Sequence, residues 1–439
     1  MDYSIDQLTT WDEKIVEIAK KHGLDWYDIS YELVDYHSMI GHMAYHGLPT
    51  HFDHWSYGKA FESTMNRYNF GMEGLPFEMI INSDPSIAYL MRENPLYLQV
   101  LIMAHCVGHS DFFKNNRMFK NTRAETVVPR FRAAKKRIQG YIEDPNIGID
   151  EVEKIIDSCH AVQFQTTKYG QIRRPHAEVK AEYVELLNEQ KGKKPGTFVP
   201  LKVDINKLPL EPDYDILGFI TEHGKMPQWK RDIIEVCRDE GQYFWPQIQT
   251  KVMNEGWASY WHYTLCHELD LPDEMHIPFV KMHNQVVRPH IGAINPYHLG
   301  FHLFQKIKER HGIEECFLAR ESCHDAAFLR QYLTEEDCVE LNLFTFSTKK
   351  RGEVTVDDVS DDIGWEDVKA QLVKSVGGGS IPAVYVDEAK PNGTLIVRHE
   401  HDGRDLELSH ANQVVEHLKH LWGSEVKFFT VIEDEPWEI

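Results

Sequence analysis

The chain has 439 residues, 42% hydrophobic and 26% charged. Those are the shares of a globular protein rather than a disordered or fibrous one, and the length suits two or three domains. With 47 basic and 69 acidic residues the net charge is −22. That balance repels phosphate backbones and anionic lipid surfaces, which argues against nucleic acid and acidic membranes as partners.

The opening MDYSIDQLTTWDEKIVEIAK is acidic and amphipathic. It lacks the basic start and apolar core of a secretory signal. The most apolar stretch, PLYLQVLIMAHCV, is too short and too polar to span a bilayer. A soluble cytoplasmic protein without a transmembrane segment is expected. Seven cysteines stand at irregular spacing with no CxxC, so neither a disulfide framework nor a cysteine zinc knuckle is expected.

In chain order, residues 1 to about 160 read mostly as helices. WDEKIVEIAKKHGL carries apolar residues at helical spacing before a glycine stop. ISYELVDYHSMIGHMAYHGLP reads as the next helix, ended by Gly47 and Pro49. A third runs from near Pro95 to Phe113, with a buried stripe of Leu98, Ile102 and Phe112. VPRFRAAKKRIQGYIE supplies a fourth. Residues 165–215 are rich in Lys, Pro and Gly and read as a mobile excursion. Helical periodicity returns in MPQWKRDIIEVCRDEGQYFW, is interrupted by Pro246, and resumes over 247–268 and again in LGFHLFQKIKER. After Cys338 the strand-like LNLFTFST, IPAVYVDEA, TLIVRHEH and VKFFTVIED alternate with the helices WEDVKAQLVKSV and HANQVVEHLKHLWG. The expected organisation is a helical domain over 1–338 and a small α/β domain over 339–439.

Histidine is the unusual residue, 25 in all, with five between His37 and His54. In AHCVGHS, His105 and His109 are four apart on a helix, so one face can grip a cation. The zinc-protease pattern is HExxH, and here Cys106 fills the glutamate slot. Hydrogen-bonded core histidines are the plainer reading of that pair. In NEGWASYWHY, Glu255 and His262 lie nearly two turns apart on one face, with Ala258 and Ser259 between them leaving room for a ligand or another helix. A glutamate in an EGWA segment downstream of an HxxxH helix is the arrangement by which glutamate zincins supply a third ligand; a buried ion pair is the alternative. Together the helices favour a metal, zinc before iron or manganese. His42 and His46 form a rival HxxxH pair, followed by His51 and His54. Glu78 lies in the apolar run LPFEMIINSDPSIAYLM, where a carboxylate is costly unless paired, orienting a histidine, or poised as a base. The chain shows no P-loop, GxGxxG or GxSxG motif.

The blocks GLPTHFDHWSYGKAFE, EMIINSDPSIAYLM, HCVGHSDFFKNN, VMNEGWASYWHY and INPYHLGFHLF, in that order, with the closing HLWGSEVKFFTV, resemble the stage V sporulation protein R (SpoVR) family over nearly the whole chain. The resemblance implies a role in spore cortex formation, in the mother-cell cytoplasm of endospore formers. It also implies association with a PrkA-type serine protein kinase and a von Willebrand-like protein, whose genes neighbour those of non-sporulating relatives. Motif positions fall on His54, Glu78, His105, His109, Asp111, Glu255 and His262, while His42, His46 and His51 are less characteristic.

The expectation is therefore an α+β protein with a large, mainly helical, zincin-like N-terminal domain and a small α/β C-terminal domain. Its function would be metal-dependent hydrolysis of an amide bond in peptidoglycan or a precursor peptide. His105, His109 and Glu255 would hold the metal. His262 would be a fourth ligand or an oxyanion stabiliser. Glu78 or His54 would act as base, since thermolysin-like chemistry needs one beside the activated water. The alternative is a non-catalytic metalloprotein that regulates or scaffolds cortex assembly and the stress response.

Overall fold

The structure, a computed structural model, describes residues 3–48, 51–70, 76–167, 173–191, 203–290, 294–348, 354–359 and 364–439. The first third contains α1 (Ile5–Lys21), β1 (Ile29–Val34), α2 (Tyr36–Ala44), α3 (Trp55–Asn69), β2 (Glu78–Ile81), β3 (Ser86–Met91), α4 (Leu96–Asn115) and α5 (Val127–Glu143). Next come α6 (Gly148–His160), α7 (His176–Lys191), α8 (Ile216–His223), α9 (Gln228–Gln249), α10 (Lys251–Glu268), α11 (Asp273–Val286) and α12 (Pro296–His311). Then follow α13 (Ile313–Ser322), α14 (Asp325–Tyr332), α15 (Glu335–Glu340), β4 (Phe344–Thr348), β5 (Val354–Val359) and α16 (Trp365–Ser375). The chain closes with β6 (Val384–Ala389), β7 (Leu395–His399), α17 (Leu408–Trp422), β8 (Val426–Ile432) and β9 (Glu435–Glu438). This is a mostly helical α+β fold.

Two compact units divide the chain: residues 1–136 with 246–380, and residues 137–245 with 381–439. In the first, α10 packs between α4 and α12. Helix α4 is buried all round from Leu98 to Phe113, with a wholly apolar run from Val100 to Ala104 before the polar His105, His109, Ser110 and Asp111. Small residues set the closeness of the layers. A Cβ on Gly108 would meet the Ala258 Cα at 2.7 Å, and one on Gly256 would meet the Gly300 backbone at 2.4 Å. The room that Ala258 leaves is thus taken by another helix. Buried Asp325 accepts the Val252 and Met253 amides, both at 2.9 Å, and so caps the start of α10.

The segment ISYELV, expected to be helical, is strand β1. It pairs parallel with β3, which pairs antiparallel with β2. Asp35 separates strand from helix by accepting the Ser38 amide as N-cap of α2. Expected to interrupt the helix, Pro246 instead lies inside α9, which ends at Gln249. A proline's own φ is helical, and it withdraws one hydrogen bond rather than breaking the turn.

In the second unit, β6, β7, β8 and β9 form a four-stranded sheet in that order. Strands β7 and β8 run parallel, joined by the crossover helix α17, which packs on α6. The expected boundary at 338/339 falls inside the first unit. Helix α16 belongs there because Leu372 and Val376 enter the same core as Leu333 and Cys338, and Lys369 donates to the Leu333 carbonyl at 2.6 Å. The expected excursion over 165–215 contains the sixteen-residue helix α7; residues 168–172 and 192–202 of it lie outside the described residues. All seven cysteines are buried thiols without a disulfide. Among the described residues no helix is long and apolar enough to cross a membrane.

Candidate metal centre

Helical spacing places His105 and His109 on one face of α4, their Nε2 atoms 3.0 Å apart. From α10, Glu255 brings Oε2 to 3.4 Å from His109 Nε2 and 3.8 Å from His105 Nε2. These three are the one group of potential metal donors that converges among the described residues. Bonds of about 2.0–2.2 Å to a tetrahedral zinc place donor atoms about 3.4 Å apart, and the three observed separations bracket that value. Glu255 Oε2 is buried and makes no hydrogen bond of its own. A buried anionic oxygen facing two imidazole nitrogens is a setting that a cation satisfies.

The electrostatics agree. Burial opposes ionisation of Glu255, but the His105 and His109 rings more than offset it and hold the carboxyl well below the usual range. For His109 burial likewise opposes the charge, and Glu255 reverses the balance and raises the ring's affinity for a proton. The site is therefore built to hold positive charge beside Glu255.

Glu78 is the first residue of β2, opposite Leu90 of β3. The hairpin turns it back towards α4, with Oε1 3.9 Å from His105 Nε2. Burial raises its pKa, moderated by His105 and His109. Of the two expected bases, Glu78 thus reaches the cluster. His54 does not join it in the contacts the structure describes. It is the N-cap of α3, with Nδ1 on the Ser56 hydroxyl at 2.7 Å and its ring against Trp55 and Tyr57.

His262 also departs from expectation. Its Nδ1 lies 2.9 Å from His105 Nδ1 and its Nε2 lies 2.8 Å from His283 Nδ1. Both ring nitrogens are engaged by other histidines, so His262 stands behind His105 rather than beside the metal donors. Burial, followed by the neighbouring imidazoles, pushes its pKa well below the ordinary value. The rival histidines lie elsewhere: His42 stacks flat on Tyr89 at 3.7 Å, while His46, in the turn after α2 with φ 53°, and His51 join His54 around the Tyr57 ring, His51 also packing on Phe131. Cys106, in the slot of the HExxH glutamate, is a buried thiol whose pKa burial pushes well above its ordinary value.

Three residues at or behind the site escaped the sequence reading. Asn254 holds His109 Nδ1 at 2.8 Å through Oδ1. Tyr297, at the start of α12, lies stacked over His105 with ring centroids 6.2 Å apart; the Glu255 charge, then burial, raises its hydroxyl pKa. His283 is the third. Asn254 and Tyr297 sit inside the blocks VMNEGWASYWHY and INPYHLGFHLF, so the block pattern was the available signal. Nothing in the spacing pointed to His283. Asp111 is a brace rather than a ligand: buried, it accepts the Asp25 amide and the Trp257 indole N–H, both at 2.8 Å, and ties α4 to α10. Burial pushes its pKa up to about 6.

A family model described as SpoVR like protein matches residues 2–381, and one described as SpoVR-like C-terminal domain matches residues 383–433. The chain belongs to the SpoVR family. The first SpoVR match ends at Ile381 and the second begins at Ala383, close to Ser380, where the first compact unit ends. A relative from Escherichia coli, described as uncharacterized protein YcgB, is 29% identical over 493 residues, covering 100% of this chain and 94% of the relative. No solved structure matches the SpoVR chain.

Proposed function

We propose that this SpoVR chain is a zinc-dependent amide hydrolase with a peptidoglycan fragment or precursor peptide as substrate, acting in spore cortex formation. The observation that carries the reading is the convergence of His105, His109 and Glu255 at tetrahedral donor spacing, with Glu78 beside them. The donor set of two histidines and one glutamate, with the histidines four apart on a helix, is what the centre has in common with zincins. A bound divalent cation supplies Lewis acidity, lowering the pKa of water and polarising a carbonyl. Glu78, kept basic enough by burial, accepts the proton from water and returns it to the leaving amine. Tyr297 offers its hydroxyl hydrogen to the carbonyl oxygen as charge grows on it. The cortex role, the amide substrate and association with a PrkA-type kinase rest on the family resemblance.

A second reading has one observation in its favour. Glu78 Oε1 is about as far from His105 Nε2 as Glu255 Oε2 is, at 3.9 and 3.8 Å. As a fourth ligand Glu78 would close the coordination, and a closed zinc is structural. The chain would then be a metal-stabilised scaffold.

The Glu78→Gln variant separates them. In the hydrolase, zinc measured by elemental analysis of untagged protein remains near one per chain. Amine release from soluble peptidoglycan fragments then falls by about 10²–10⁴. In the scaffold, zinc content itself falls. His109→Ala loses zinc on either reading, and full occupancy in that variant overturns both.

A further inference from the structure

Four imidazoles form an unbroken line through the first unit. His109 Nε2 lies 3.0 Å from His105 Nε2, His105 Nδ1 lies 2.9 Å from His262 Nδ1, and His262 Nε2 lies 2.8 Å from His283 Nδ1. All four residues are at most 5% exposed. They come from α4, α10 and α11. The far ring is clamped by aromatic neighbours: Tyr263 and Phe301 stand 4.7 and 4.9 Å from His283, centroid to centroid.

Each link needs one hydrogen between two nitrogens, and a neutral imidazole carries only one N–H. In the neutral form of His109 the Asn254 Oδ1 contact puts the hydrogen on Nδ1 and leaves a lone pair on Nε2. The remaining three rings then have two self-consistent arrangements. With no cation, His105 donates from Nε2 to His109, His262 donates from Nδ1 to His105, and His283 donates from Nδ1 to His262. With a cation between the two Nε2 atoms, His105 must present a lone pair there. It then donates from Nδ1 to His262, and His262 donates from Nε2 to His283.

We propose that metal binding drives a concerted tautomer switch along His105, His262 and His283, in which His262 and His283 act as positioning residues for the donor His105. This deepens the metal reading above and rests on it. The balance closes without any change in charge. One proton leaves His105 Nε2 to solvent, the two bridging protons each cross to the neighbouring ring, and one proton from solvent is taken up at His283 Nε2. Every ring is neutral before and after. The chain thereby stores the choice between an empty and a loaded site partly in His262 and His283, rings that lie behind the donor His105, and partners of this kind tune metal affinity.

The test is two-bond ¹⁵N–¹H correlation spectroscopy of the full chain labelled at histidine, recorded metal-free and with one equivalent of zinc, with His283→Phe used to assign the far ring. The expected result is that His262 and His283 carry Nδ1–H without zinc and Nε2–H with it. Zinc bound stoichiometrically with both tautomers unchanged overturns the switch and leaves the metal centre standing. Failure of zinc to bind by calorimetry overturns the metal centre itself, and the switch with it. As an independent measure, His283→Phe keeps a ring in the clamp but removes the last acceptor. Zinc affinity should fall about tenfold or more, and unaltered affinity overturns the positioning role.

Discussion

Gly108 on α4 lies against Ala258 on α10 so closely that a methyl group on the glycine would come within 2.7 Å of the Ala258 Cα. Gly108 stands one residue before His109, and Ala258 three after Glu255. The same helix contact that makes the core dense therefore sets the spacing of the candidate donors His105, His109 and Glu255. The obstacle is backbone, so relief requires one helix to move. Gly108→Ala should cost about 1–3 kcal/mol, read as a lower melting temperature, and should reduce zinc uptake as well. Gly58, on α3, has nothing within 4 Å of its missing Cβ. Gly58→Ala is the control, and it should be neutral or stabilising by up to about 1 kcal/mol.

Removal of metal should be visible in stability. A ligand that binds only the folded chain stabilises it by about 4 kcal/mol at a thousand times its dissociation constant. Zinc should accordingly raise the melting temperature of the wild-type chain, and a chelator should reverse the shift. Glu255→Gln removes the charge that faces both imidazoles. It should abolish most of this zinc response, and differential scanning calorimetry with and without zinc measures it.

The brace at Asp111 predicts a loss of a different kind. Its two oxygens accept separate donors, Asp25 N–H and Trp257 Nε1–H. Asparagine keeps one acceptor and turns the other into a donor. Asp111→Asn should cost about 1–3 kcal/mol for the unsatisfied buried group, seen in urea unfolding, with no gain from added zinc beyond that of the wild type.

Asp337 gives the pH dependence a sign. Its carboxylate is fully buried and accepts both Arg310 guanidinium arms at 2.7 and 2.8 Å, His302 Nε2 at 3.1 Å, and the Thr334 amide and hydroxyl. Burial opposes its charge, but His302, Arg310 and Thr334 outweigh burial and lower its pKa. A lowered folded-state pKa means that the contribution to stability is fully present above the unfolded value of about 4 and is lost as pH falls through the folded one. Asp337→Asn should cost about 2–4 kcal/mol near neutrality, somewhat below a fully enclosed pair because Arg310 is partly exposed. The gap to the wild type should narrow below pH 4 in acid-titrated urea melts.

Part of the centre was legible because a helix repeats. A step of four from His105 to His109 dictates one face, and an amphipathic or wholly apolar run dictates a helix, so α4, α10 and α12 follow from periodicity. Strand β1 was misread because ISYELV is six residues followed directly by a helix, too short for its alternation to compete with the helical run after Asp35. Helix α16 was assigned to the wrong neighbours because its buried face, Val368 and Leu372, names no partner. Only the fold shows that the partner is the core around Leu333 and Cys338.

By itself the sequence determined the family, the helical character, the absence of disulfide patterning, and the candidate trio His105, His109 and Glu255, since all of these depend on residue type and local period. The tertiary structure decided what the donors meet. His262 shares a helix face with Glu255, and from spacing alone it reads as a ligand. The close crossing of α4 and α10 at Gly108 and Ala258 instead sets it behind His105, with His283 of α11 beyond. His54 and Glu78 were equal candidates on paper, and the hairpin register brings Glu78 to 3.9 Å from His105 Nε2. Distances between side chains on different elements depend on packing depth, which a glycine meeting an alanine 150 residues further along the chain can set, and no local pattern records it.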